Sequence, residues 1–434
     1  MRQVLDKVLA VALAAVEPGQ AVRNAVAFET DSIVVGEHRY HLGMYRRALI
    51  VGAGKASAPM AAAVEEILGG CIPVEGSVTV RYGHAAPTRD VTIREAGHPM
   101  PDQAGVNATR AIVRLLDGAN ADDLVLCVIS GGGSALLTLP YDGISLDDMR
   151  QTTDALLRCG ATINEINVVR KHLDQVKGGG LARLAAPATV VTLVLSDVVG
   201  NPLDAIASGP TVPDNSTWMD ARAVVDQFGL WDQVPASVAD RLQADLPDTP
   251  KPGDPLFERT QTVVVGSNLL ACQAAAGEAE RLGYHSLVLT SFVEGEAREV
   301  GRVLAGLLRE VDASGHPLAR PCCLIAGGET TVTMRGQGSG GRNQEVALAA
   351  ALALRGVRGV LLASIGTDGN DGPTDAAGAW VDGGTAARAA ERGLVPGQYL
   401  AENDSYHFFE KLDQLIKTGP TNTNVNDIYV LLAT

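Results

Sequence analysis

The sequence predicts an α/β protein of two domains, and three observations carry that reading. Apolar strand-like runs repeatedly end in a glycine turn that opens a helical pattern, as in RALIVGAGKASAPMAAAVEEIL and DDLVLCVISGGGSALL. A composition of 46% hydrophobic, 20% charged and 4% aromatic residues with 48 glycines suits a packed enzyme with many tight turns and argues against disorder. The 434 residues exceed one ordinary core, and Pro247, Pro250, Pro252 and Pro255 crowd LPDTPKPGDPLF, a composition that marks a linker or boundary. The expected division is 1–245 and 246–434.

Charge bounds the partners. A formal net charge of -15 argues against nucleic acid or an anionic membrane as a bulk partner, so an anionic substrate needs a local basic pocket. No run approaches the ~20 apolar residues of a membrane span. Cys71, Cys127, Cys159, Cys272, Cys322 and Cys323 show no metal-ligand spacing and read as reduced core thiols of a cytoplasmic protein.

In chain order, VLAVALAAV mimics a short signal core, but Asp6 and Lys7 interrupt it. Leu5, Val8, Leu9, Ala12 and Val16 recur at helical spacing, so an amphipathic first helix is predicted. The run Ala48 to Val51 is a strand, Gly52 and Gly54 make a turn, and Lys55 stands at the helix start, where its ammonium would add to a phosphate's attraction for the dipole. In GHPMPDQAG, His98 is either catalytic or a turn histidine packed by prolines. A buried strand, Leu124 to Ile129, ends in Ser130, Gly131, Gly132, Gly133 and Ser134, the place where open α/β sheets bind ligands. That run reads as a phosphate or carboxylate cradle.

Ser145 is a plausible N-cap for the next helix. INEINVVRKHLDQVKGGGLARL then carries Arg170, Lys171, His172 and Lys177, a basic cluster in an acidic chain, with Lys171 the candidate for phosphate. A further buried strand ends at Ser196 and Asp197, whose carboxylate suits magnesium or a substrate hydroxyl. After the proline-rich run, TVVVGSNLLACQ reads strand, Gly266-Ser267-Asn268 turn, helix. The strand 360 to 365 ends near Asp368 in an acidic, glycine-rich loop without the spacing of a calcium hand.

The most informative stretch is IAGGETTVTMRGQGSGGRNQE: a strand end, Glu329, a second β-rich run, then a glycine-dense turn into a helix at Asn343. Gly336, Gly338, Gly340 and Gly341 suggest positive φ and close approach to a ligand, with Arg342 and free helix N–H groups facing an anion. Gly336, Gly338 and Gly341 also spell G-x-G-x-x-G, but the acid expected ~20 residues on is missing, so the dinucleotide match is weak.

VGAGKASAPM, GHPMPDQAG, VISGGGSALL, EINVVRKHL with KGGGLA, LSDVVGNPLDAIASGPT, GGETTVT, GGRNQE, GTDGNDGPTDAAGA and TNTNVNDIYVLL, in this order, resemble the class II glycerate 2-kinase family almost end to end. The resemblance implies an N-terminal Rossmann-like αβα sandwich, a smaller C-terminal α/β domain, and an active site in the cleft between them, which phosphoryl transfer would require to close. It implies transfer of the ATP γ-phosphoryl group to D-glycerate, giving 2-phosphoglycerate, with ATP and Mg2+ as cofactors. Members often called hydroxypyruvate reductases keep an NAD(P)H-dependent reductase open, beside a nonenzymatic sugar-acid binding protein. The family's catalytic lysine falls on Lys55 and its active-site arginine on Arg342. Gly54, Ser130, Gly131, Gly132, Gly133, Ser134, Lys171, Asn268, Glu329, Gly340, Gly341 and Asn343 are candidate substrate or nucleotide contacts. Asp197, Glu329 and Asp368 are candidate metal ligands, and Asp197 would also orient the 2-hydroxyl. Asp174, where serine is expected, and Asn422, where glycine is usual, depart from the pattern; Asp174 makes the basic segment less cationic.

Overall fold

Bounded runs of β-branched and aliphatic residues become the strands of two six-stranded sheets. The structure, a computed structural model, describes residues 1–244 and 246–434. The chain divides into two compact units, Pro18–Val265 and a second made of Met1–Glu17 with Gly266–Thr434.

In the first unit the sheet runs Val91–Ala96, Val74–Arg81, Arg47–Ala53, Asp123–Ile129, Thr189–Leu195, Thr260–Gly266. The first five pair in parallel. Counted along the chain, the order is third, second, first, fourth, fifth, sixth, the doubly wound order of dinucleotide-type αβα folds. Arg47–Ala53, Asp123–Ile129 and Thr189–Leu195 are almost wholly buried, as strands covered on both faces must be. The helices start where the side chains say they should. Ser145 caps Leu146–Arg158 and Thr162 caps Ile163–Leu173, each in a full capping box with Asp148 and Glu165.

The second unit mixes directions. Its sheet order is His285–Val293, Cys322–Gly328, Asp427–Ala433, Val360–Gly366, Gly378–Asp382, Leu415–Ile416. The C-terminal strand Asp427–Ala433 lies antiparallel between Cys322–Gly328 and Val360–Gly366, which brings Asp427 level with Gly328 and Gly366. The alanine-rich helix Arg342–Ala353 packs with Ala297–Ser314 over this sheet in one apolar core.

Several expectations change. The first helix, Arg2–Ala15, buries Leu5, Val8, Leu9 and Ala12 as predicted, but it packs along Asn268–Arg281 and so belongs to the second unit. The expected division after 245 falls on a residue outside the described ones. The units divide instead at 265/266, because Thr260–Gly266 supplies the edge of the first sheet. Nor is the proline-rich run a free linker. Thr249 Oγ1 donates to Asp214 at 2.9 Å, and Asp248 meets His172 Nε2 at 3.0 Å, stitching the run to the first unit. All six cysteines are free, but Cys71 is exposed and Cys159 only partly buried. Between Glu329 and Arg342 no strand forms among the described residues; Thr331 makes only an isolated bridge to Glu296. Among the described residues no helix is long and apolar enough to cross a membrane.

Candidate active site

The first unit's strand order reverses between Arg47–Ala53 and Asp123–Ile129, and ligands of such sheets bind beyond the carboxyl ends at that point. Two loops meet there. Gly54 takes φ +147, and a Cβ on it would lie 2.1 Å from Ser130 Oγ, so only glycine fits. Ser130 Oγ accepts the Ala56 N–H at 3.0 Å and bonds Ser57 Oγ at 3.1 Å, while Lys55 N–H donates to Gly131 O at 2.9 Å. Gly54 and Ser130 thus tie loop to loop rather than offer atoms to a ligand. Ser134 Oγ is likewise bonded to Ser208 Oγ at 3.0 Å.

Gly131, Gly132, Gly133 and Ser134 do line a cavity of about 210 Å³, together with His98, Arg150, Arg170 and Asp197. The bare Gly131 makes room for Asp197, whose Oδ2 would sit 2.1 Å from an added Cβ. The Cβ that Gly132 lacks would lie 2.8 Å from the His98 ring and 3.5 Å from Lys55 Cε. Burial first, then the Lys55 ammonium, pulls His98 down to about 4, so the ring is neutral at pH 7. His98 is therefore a cavity residue, not a turn histidine held only by prolines.

The basic cluster sorts by pairing. Lys171, expected on phosphate, is buried and spends its ammonium on Asp214 at 3.2 Å and Asp204 at 3.8 Å. Lys177 is buried too, donating to Ser134 O at 3.0 Å and Leu137 O at 2.7 Å beside Asp174 at 3.4 Å. These two hold the fold. Lys55 makes no ion pair among the described residues, and the Arg170 side chain makes only one hydrogen bond among them, to Thr153 Oγ1 at 3.3 Å.

In the second unit Arg342 begins the helix Arg342–Ala353. That helix's N–H groups are not free. Asp371 accepts from Asn343 N at 3.0 Å and Gln344 N at 2.8 Å, so the anion at the dipole's positive end is the protein's own. Arg342 Nε and Nη2 grip Asp427 at 2.7 and 3.0 Å, and Nη1 donates to Glu329 at 2.6 Å. Its own burial opposes the guanidinium charge, but Asp427 and Glu329 outweigh this and raise Arg342 above its ordinary value. Asn343 is buried, donating to Asp427 at 2.9 Å and accepting from Ser364 at 2.6 Å, bonds that build it into the framework of the site. Asn268 is another, donating to Val425 O and Asp427 O at 2.9 and 2.8 Å under the bare Gly327.

The glycine-dense turn works differently from its expectation. None of Gly336, Gly338, Gly340 and Gly341 has positive φ. Missing Cβ atoms at Gly336, Gly338 and Gly340 would strike Glu402, Asp404 and Ser405, and at Gly341 would strike Asp371. The turn is thin so that the chain can lie against 402–405 and Asp371. With no strand leading into it, G-x-G-x-x-G is here a packing pattern.

Arg342, Gly340, Gly341, Asp368 and Asp371 line a second cavity of about 540 Å³. Asp368 accepts Asn370 N–H at 3.0 Å, and Glu329 is half exposed. Among the described residues no group of three or more His, Cys, Asp or Glu gathers as a metal cage. Magnesium needs no such cage, since it is held through one or two carboxylates with phosphate and water, and Asp368 on the wall fits that donor set. Sequence reasoning missed Asp427 and Asp371 as organisers of this site. The signal for Asp427 was an acid at the very start of the buried run DIYVLLA.

Burial, opposed by the Asn343 and Gln344 N–H groups, pushes Asp371 from 3.8 up to about 6. The group's folded value is raised, so its stability contribution is full below about pH 3.8 and lost as pH rises through about 6. Between pH 7.5 and 5.5 the wild type should gain roughly 1 kcal/mol, about 2 to 4 °C in Tm, relative to Asp371→Asn. Parallel melting curves of the two proteins check this; equal pH slopes would show that Asp371 does not titrate there.

A family model described as a domain of unknown function, DUF4147, matches residues 4–243, and the MOFRL family model matches 322–427. The chain is 47% identical to a D-glycerate 2-kinase of Thermotoga maritima, over 88% of this chain and 90% of that protein. It is 42% identical to a putative hydroxypyruvate reductase of Agrobacterium vitis, over 99% of this chain and 94% of that one. The crystal structure of a glycerate kinase from Thermotoga maritima superposes with a TM-score of 0.91 at 43% identity, covering 100% of this chain and 99% of that one.

Proposed function

This chain belongs to the glycerate kinase family that joins DUF4147 to MOFRL, and from that premise we infer that it is a glycerate 2-kinase. The 2-hydroxyl oxygen of D-glycerate attacks the γ-phosphorus of ATP, the bond from that phosphorus to the β-γ bridging oxygen breaks, and ADP leaves with 2-phosphoglycerate.

The observation that carries the reading to residues is Lys55, without an ion pair among the described residues, at the switch point beside the glycine cradle and Asp197. Phosphoryl transfer asks for positioning and charge, not covalent chemistry. Lys55 spreads charge on the transferring group; Asp197, in the cavity under Gly131, orients the 2-hydroxyl and takes its proton. Arg342 serves the same transfer with the outward nitrogen it now gives Glu329. Gly132 and Gly133 let the substrate come close to backbone. Magnesium, when bound, neutralises β- and γ-phosphate charge, and Asp368, Glu329 or Asp197 would hold it. The reductase reading loses its glycine fingerprint, because Gly336, Gly338 and Gly341 pack on their own chain, and rests only on the name carried by the Agrobacterium vitis relative.

Purified protein with D-glycerate, ATP and magnesium is expected to release ADP and 2-phosphoglycerate, to stop on chelation, and to resume when magnesium is restored. NADH absorbance with hydroxypyruvate is expected to stay constant. Stoichiometric NADH consumption with ATP intact would replace the kinase by the reductase, and binding of the acid without any ADP release would leave only the sugar-acid binding protein.

A further inference from the structure

Arg170 is a guanidinium in search of an anion. It lines the cavity of about 210 Å³ at the first unit's switch point. It is only partly exposed, and burial pulls its pKa below the ordinary value. Its Nε donates to Thr153 Oγ1 at 3.3 Å, and its two terminal nitrogens make no hydrogen bond among the described residues. The nearest acid in sequence, Asp174, is committed elsewhere: Oδ2 to Leu139 N at 3.0 Å and to Lys177 at 3.4 Å, Oδ1 to Val176 N at 3.0 Å. The Asp174 charge offsets part of the burial cost without an ion pair to Arg170 among the described residues, and a cation so desolvated is costly to maintain unless an anion completes it.

Size selects the anion. A cavity of about 210 Å³ has room for a three-carbon hydroxy acid. Pockets for drug-sized ligands span roughly 300 to 1,000 Å³, so a small acid fits this cavity better than a whole nucleotide does. The planar fork of arginine matches a carboxylate through two parallel hydrogen bonds. Arg150, on the same wall, has its Nε committed to Pro101 O at 3.0 Å and donates there again through Nη2, which leaves Arg170 as the better-placed clamp.

We propose that Arg170 binds the carboxylate of the acceptor acid in this cavity and thereby selects a small 2-hydroxy acid over neutral alcohols of the same size. The proposal rests on the kinase reading for the identity of the acid, and names the residue that recognises it. Asp174 is bonded to Leu139 N, Val176 N and Lys177, so its hydrogen-bonding oxygens are taken and the terminal nitrogens of Arg170 stay open to a ligand.

The test compares wild type, Arg170→Gln and Arg170→Lys as full-length enzyme. In Arg170→Gln the KM for D-glycerate should rise about 30-fold or more, with KM for ATP unchanged and kcat within about threefold. Wild-type preference for D-glycerate over its uncharged amide should collapse in Arg170→Gln and partly return in Arg170→Lys, which a purely structural role would not produce. Should Arg170→Gln fail to fold, Arg170→Lys, which keeps the charge but loses the fork, carries the same comparison. A raised KM for ATP with that for D-glycerate unmoved would overturn the proposal in favour of a phosphate clamp; no change in either would overturn it outright. Calorimetric titration of D-glycerate into wild type and variant without nucleotide separates this from the kinase reading. Absent turnover in wild type defeats the kinase, whereas equal affinity in both proteins defeats the Arg170 site.

Discussion

Replacing Lys55 by methionine is expected to lower kcat by about 10³-fold and to move Tm by no more than about 2 °C. The asymmetry follows from what this lysine does in the fold. Its backbone N–H closes the loop onto Gly131 O at 2.9 Å, a bond methionine keeps, while its ammonium pairs with no carboxylate among the described residues. An unpaired cation at a glycine-lined cavity stabilises little in the free protein and much once charge develops on a transferring phosphoryl group. Lys171 is the control. Its ammonium is buried against Asp214, and Lys171→Met would strand that carboxylate, for a stability loss of roughly 3 to 5 kcal/mol. Steady-state kinetics and melting of both variants decide the matter: a Lys55→Met protein with near-normal turnover, or one that loses stability as Lys171→Met does, would remove Lys55 from catalysis.

The contrast between those lysines also marks where sequence reading succeeds and where it stops. Strand ends were readable, because a buried parallel strand is an uninterrupted apolar run and the glycines after it announce a turn. Lys55, Gly131 and Asp197 can thus be placed at carboxyl ends from the sequence alone. Partner choice was not readable. Arg170 and Lys171 are adjacent, and a helix turns about 100° per residue; which of them faces a cavity and which a buried acid is set by elements far away in the chain. Asp214, which captures Lys171, lies 43 residues on. The second unit shows the same limit. Asp427 organises Arg342 and Asn343 only because the last strand inserts between Cys322–Gly328 and Val360–Gly366. No local pattern encodes an insertion of that kind. The glycine-dense turn misled for a related reason: close approach to a ligand and close approach to one's own backbone demand the same residue, and sequence does not say which surface is being approached.

Arg342→Lys is expected to cost about 10² to 10³-fold in kcat and, in contrast to Lys55→Met, roughly 2 to 3 kcal/mol of stability. The charge survives the change, so the loss must come from geometry. Nε and Nη2 of Arg342 hold the buried Asp427 while Nη1 points outward to the half-exposed Glu329. A lysine offers one nitrogen for these two tasks. If it stays with Asp427, the outward donor disappears; if it reaches outward, Asp427 is left buried with Asn343 alone. Glu329→Gln separates the tasks, since it leaves the grip on Asp427 intact and weakens only the competitor for Nη1. If that nitrogen meets phosphate, Glu329→Gln should keep the wild-type Tm within about 1 °C and lower the KM for ATP at saturating magnesium. Full activity in Arg342→Lys would exclude the clamp. A Glu329→Gln protein whose turnover falls and recovers only at high magnesium would instead identify Glu329 as a metal ligand and leave the outward nitrogen of Arg342 without a role in transfer.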